Sequence, residues 1–201
     1  YMTIGSMKKL ALMQVQDKNT ISIYCDGENK NVMTAFMVHE LTHLLDINNF
    51  DLFNKRNILL GNSIELSKDL YSKKQEEGFY RGYIKKTSEI KDMEKEIVSA
   101  TDKLTSLMTV MESHANHIQQ EWCIENKVIP VSGKLLLMGL ASLPMMVLPG
   151  VRKKLKQYSK GTKLVEAAYG TGVPMGEIYN NLPATDQFND SEKIVTYFKG
   201  L

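Results

Sequence analysis

A chain of 201 residues, 43% apolar and 24% charged, has the make-up of one folded globular domain, which excludes a disordered or fibrous protein. A formal net charge of +2 gives no ground for a nucleic-acid partner, and the two distant cysteines, Cys25 and Cys123, form no disulfide framework. That cysteine usage favours a reducing, cytoplasmic setting; no signal-peptide pattern opens the sequence, and because it begins at Tyr1 rather than Met an N-terminal piece is expected to precede it.

In chain order, Thr20-Ile21-Ser22-Ile23-Tyr24-Cys25 alternates and is rich in β-branched and aromatic residues, so it reads as a strand. Asp26-Gly27-Glu28-Asn29 turns the chain, and Asn31 or Thr34 is a candidate cap for the helix that follows. That helix carries Val38-His39-Glu40-Leu41-Thr42-His43-Leu44-Leu45-Asp46, with no Gly or Pro to interrupt it. His39 and His43, four apart, lie about 40° apart on a helix and can share one ion, with Glu40 beside them. Two neutral imidazoles on a metal and a carboxylate to take a proton from water are the parts a zinc hydrolase needs.

Asp46 to Phe50 looks like the exit of this helix. Ile64 to Glu77 is a charged amphipathic stretch closed by Gly78, and Phe79-Tyr80-Arg81-Gly82-Tyr83 reads as a turn packing its rings on the core, or as a groove lining. Thr87 to Asn126 is helical in pattern, with a break expected near Ala100-Thr101-Asp102. Leu135 to Leu148 is the most apolar stretch. It is shorter than the roughly 20 residues a bilayer requires, so a buried helix is expected, with membrane-surface contact as the alternative. Val151 to Tyr169, interrupted by Gly161, and Ser191 to Phe198 read as further helices.

All four histidines fall into two clusters, the second being Met111-Glu112-Ser113-His114-Ala115-Asn116-His117-Ile118. Catalytic zinc takes three protein ligands and keeps one position open, so this stretch must supply the third. With Glu112 at 0°, Asn116 falls at about 40°, His117 at about 140° and His114 at about 200°, so Glu112 and His114 cannot face the same ion from a regular helix. Glu112 is favoured, because Asn116 shares its face and can orient a ligand histidine, and small Ala115 lets two helices approach. His114 and His117 stay open as alternatives.

The two motifs together resemble the zincin-2 family of zinc metallopeptidases, which pairs an HExxH helix with a downstream Glu-Gly-His-Ala motif; Glu112-Ser113-His114-Ala115 looks like its counterpart, with Ser113 in place of the Gly. Lys156-Gln157-Tyr158-Ser159-Lys160-Gly161 is similar to the family's Gln-Tyr-x-x-Gly, and Ile178 to Pro183 to its tail. The resemblance implies a single zincin-like domain over residues 1–201, mainly α in an α+β arrangement, a helical bundle with a small sheet before the HExxH helix. It implies that His39, His43 and Glu112 hold Zn²⁺, that Glu40 is the general base, and that Tyr158, or alternatively His114, steadies the oxyanion. The expected substrate is a peptide or a small amide. The rival readings are a metal-binding scaffold without turnover and an amide or ester hydrolase acting on a metabolite.

Overall fold

The computed structural model describes residues 12–17, 20–24, 30–128, 161–184 and 191–200. A hairpin opens it: β1 (Leu12–Asp17) pairs antiparallel with β2 (Thr20–Tyr24), Leu12 opposite Tyr24 and Val15 opposite Ile21. Helices make up the rest. They are α1 (Lys30–Asn49), α2 (Leu52–Phe79), a π-helical turn (Tyr80–Ile84), α3 (Ser88–Glu125), α4 (described over 161–171), α5 (Met175–Asn180) and α6 (Ser191–Lys199).

The expected α+β, zincin-like class is therefore corrected. Among the described residues no β-sheet layer covers the helices, and the only β structure is one two-stranded hairpin. Two strands supply no extended face for helices to pack on, so the layers here are helix on helix. The alternation at 20–25 is real as β2, but one strand signal carried too much weight in the reading of the whole fold.

The long arm is an antiparallel helix pair, α2 against α3. On α2 the half-buried positions Leu59, Ser63, Leu66, Leu70, Lys73 and Glu77 recur at alternating spacings of four and three, and on α3 so do Ile90, Met93, Ile97, Ala100, Leu104 and Leu107. That spacing is the seam of a coiled coil. Polar pairs rim it: Ser63 Oγ with Thr101 Oγ1 at 3.4 Å, Lys74 Nζ with Glu94 at 2.7 Å, and Lys73 Nζ with Glu89 at 2.9 Å. The Lys73–Glu89 pair, with Glu89 exposed, contributes little beyond register, whereas Lys74–Glu94 is part-buried. Thr87 caps α3, its side chain accepting from Ile90 N–H. The helix then runs through 100–102 without the expected break, because Ala100 and Leu104 are seam positions whose packing holds it straight. Asn31 and Thr34 lie inside α1 rather than before it, Thr34 Oγ1 donating back to Lys30 O.

At the far end of the arm, Gly78 takes φ +71°, a backbone region that favours glycine, and lets the chain leave α2. Phe79 and Tyr80 are exposed there, with Phe79 stacked on Tyr83, so these rings do not pack on the core. Glu112 lies 24 residues along α3 from Ser88, roughly 36 Å at 1.5 Å per residue.

The core gathers at the other end of the arm. Leu52, Leu107, Val110, Met111, Leu164, Val165, Ile178, Tyr179, Ile194 and Phe198 are buried together from α2, α3, α4, α5 and α6. Each large apolar side chain there contributes about 1.5–3 kcal/mol on burial. A smaller contact around Ala35 and Cys123, with Gln119 Nε2 donating to Ala35 O at 3.0 Å, sets α1 on the outer half of α3.

Where α4 crosses α3, a Cβ on Gly161 would stand 1.5 Å from Ser113 Oγ and 2.7 Å from Ser113 Cβ. Gly161 opens the described part of α4 and is a point of close approach to α3; the residues before it lie outside the described ones. Gly161→Ala is expected to destabilise the protein by about 1–3 kcal/mol through overpacking. Ser113→Gly in the same chain should return part of that loss, since it removes both clashing atoms; a thermal-melt double-mutant cycle measures the coupling.

Tyr158, the stretch Leu135 to Leu148 and Cys25 lie outside the described residues. Among the described residues, no helix is long and apolar enough to cross a membrane.

Candidate metal centre

His39, His43 and Asp46 fall on one face of α1, and Glu112 lies on α3 opposite. His39 Nε2 stands 3.2 Å from His43 Nε2. Glu112 places Oε2 at 3.7 Å from His39 Nε2 and Oε1 at 3.9 Å from His43 Nε2. One ligand atom from each residue thus lies within 4.8 Å of the other two. Two donors bound at about 2.1 Å to a tetrahedral ion stand roughly 3.4 Å apart, close to the 3.2 Å between the two imidazole nitrogens. The imidazoles meet edge to face, with ring centroids 4.7 Å apart, so both Nε2 lone pairs can be directed at one point. The donor set is two nitrogens and one carboxylate, which suits zinc and several other first-row divalent ions.

The electrostatics suit a metal as well. Burial first, and then the neighbouring His39, lower the His43 pKa to about 4, against smaller opposing effects from Glu112 and Asp46. His43 is therefore a neutral imidazole at neutral pH, the form that ligates. The unfolded chain protonates His43 near 6.5 and the folded, metal-free protein only near 4. Its contribution to stability is thus complete above pH 6.5 and is lost as the pH falls through 4. Chemical denaturation of metal-free protein between pH 7 and pH 4 is expected to show that decline, and His43→Gln should flatten it.

Glu40 is half-buried on α1 directly after His39. His114 does not face the cluster. Its Nδ1 lies 2.7 Å from Asp46 Oδ2 and its Nε2 lies 3.0 Å from the Tyr169 hydroxyl. Tyr179 donates to the same Asp46 oxygen at 2.7 Å. The Asp46 carboxylate accepts from His114 Nδ1–H, and Nε2 faces the Tyr169 hydroxyl on the other side of the ring. Both His114 nitrogens are thus engaged with Asp46 and Tyr169. Burial, and then the Asp46 carboxylate, push the Tyr179 phenol far above its ordinary range, so it stays a donor. His117 turns to the side, its ring 4.7 Å from that of Tyr169.

Asn116 is buried, but it does not orient a ligand histidine: His39 Nδ1 and His43 Nδ1 have no hydrogen-bond partner among the described residues. Three residues that form the hydrogen-bonded network beside the site were not anticipated: Asp46, Tyr169 and Tyr179. Asp46 carried a usable signal, since a charged residue three after His43 shares the histidine face of an otherwise apolar helix. Tyr169 and Tyr179 carried none, being joined to Asp46 and His114 only by the fold.

The chain matches no known protein family, no curated protein and no solved structure. The site therefore rests on its own geometry.

Proposed function

We propose that the protein is a zinc-dependent hydrolase of peptide or small-molecule amide bonds, with His39, His43 and Glu112 as the metal ligands and Glu40 as the general base. The observation that carries this reading is the convergence of two imidazole nitrogens and a carboxylate at 3.2–3.9 Å, with an acid next to the first histidine. Zinc, when bound, lowers the pKa of its water towards about 7 and polarises the scissile carbonyl. Glu40 takes the proton as the water attacks and hands it to the leaving amine. A purely structural site has no use for that acid and usually closes with cysteines; Cys123 is instead buried against Ala35 on the outer half of α3. The likeness of the two motifs to zincin-2 metallopeptidases supports peptide-bond chemistry, and two cysteines far apart in sequence with no CxxC spacing support a reducing, cytoplasmic setting.

The test is a screen of zinc-loaded protein against peptide libraries and small amides. Hydrolysis that a chelator stops and zinc restores is the expected result. Metal binding with no turnover of either substrate class would leave a metal-binding scaffold as the function.

A further inference from the structure

His39 and His43 stand on α1 and Glu112 on α3, so the ligand spacing depends on how these two helices are set against each other. A ligating imidazole is usually held by a hydrogen bond to its outer nitrogen. Here both outer nitrogens, His39 Nδ1 and His43 Nδ1, are buried without a protein partner among the described residues. Directly beside the cluster, however, a side-chain hydrogen bond joins the same two helices. Asp46 Oδ2 to His114 Nδ1, at 2.7 Å, ties the turn of α1 that follows His43 to the residue two beyond Glu112. Tyr179 of α5 donates to the same oxygen, and Tyr169 of α4 closes on the other side of His114. Three helices therefore meet at the carboxylate of Asp46, a residue only 3% exposed, and α4 joins them through His114. A buried acid is costly to place in a core that leucine could fill, and its charge lies where it favours a cation at His43.

We infer that Asp46 is a positioning residue for the metal centre: its bond to His114 sets α1 against α3 so that both imidazoles reach the Glu112 carboxylate. This rests on the metal-site reading above. A role confined to stability would lower the melting temperature of a variant without changing how the folded variant holds metal, and this difference makes the two roles separable.

The experiment titrates metal-free wild type, Asp46→Leu and Tyr179→Phe with Co²⁺ against a chromophoric chelator. It also records the visible Co²⁺ bands, the far-UV circular dichroism and the metal-free melting temperature. Asp46→Leu, which removes the acceptor at similar size, is expected to bind Co²⁺ about 10- to 100-fold more weakly, with altered bands. Tyr179→Phe keeps the Asp46–His114 bond, so it should lower the melting temperature while holding Co²⁺ affinity within about two-fold of wild type. Should Asp46→Leu fail to fold, His114→Phe breaks the same bond from α3 and should show the same weakening, whereas His114→Asn, with an amide able to stand in for Nδ1–H, should recover most of the affinity. Wild-type affinity and bands in a folded Asp46→Leu or His114→Phe variant would overturn the inference. So would a loss in Tyr179→Phe that matches its loss of stability. Wild-type protein that binds no Co²⁺ is a distinct result, which removes the metal site itself and the positioning role with it.

Discussion

His43→Ala is expected to leave no measurable metal binding at micromolar zinc. The residue contributes one of three ligand atoms, and its partners His39 and Glu112 cannot close on an ion from one side. His39→Ala should behave the same way. In wild type, zinc at 100 times its dissociation constant adds about 2.7 kcal/mol to stability, because the ion binds the folded chain and not the unfolded one. In both variants that gain should vanish while the metal-free melting temperature changes far less. Differential scanning calorimetry with and without zinc reads both quantities. A variant that melts higher with zinc, to the same extent as wild type, would show that the ion sits elsewhere.

Glu40→Gln is expected to keep fold and metal but to lose hydrolysis by about 10²–10⁴-fold, the usual contribution of a positioned general base. The amide preserves the shape of the side chain and removes its basicity, so the loss should appear in kcat with KM little changed. Because Glu40 follows His39 on the helix without belonging to the three-residue ligand cluster, zinc content measured on the same sample should match wild type. An active, zinc-replete Glu40→Gln enzyme would exclude this residue as the base.

What could be read from the sequence followed from local periodicity. The i,i+4 histidine pair and the roughly 200° between Glu112 and His114 are properties of a helix by itself. They require no knowledge of the fold, and the three side chains do converge in the structure. The opposite orientation of His114 follows from the same arithmetic, but its partners do not. Tyr169 reaches it across 55 residues and Tyr179 reaches its partner Asp46 across 133, through the packing of α4 and α5 on α3. Periodicity also failed where two signals competed. Gly61 and the polar residues around it hid the first part of α2, whose register is set by the seam with α3 rather than by propensity. The alternating stretch at 20–25 suggested a sheet, yet a strand pairs with whatever partner lies near, and here that is a single neighbour in a hairpin. Fold class is a property of how many such elements stack, which one strand cannot indicate.

The central claim is that one ion is shared by α1 and α3. Anomalous diffraction from zinc-loaded crystals, collected on both sides of the zinc absorption edge, tests it most directly. One strong peak is expected, with His39 Nε2, His43 Nε2 and an oxygen of Glu112 each at about 2.0–2.2 Å from it. A peak ligated by His114 or His117 with Glu112 turned away, or no peak between α1 and α3 in protein that carries stoichiometric zinc, would contradict the account.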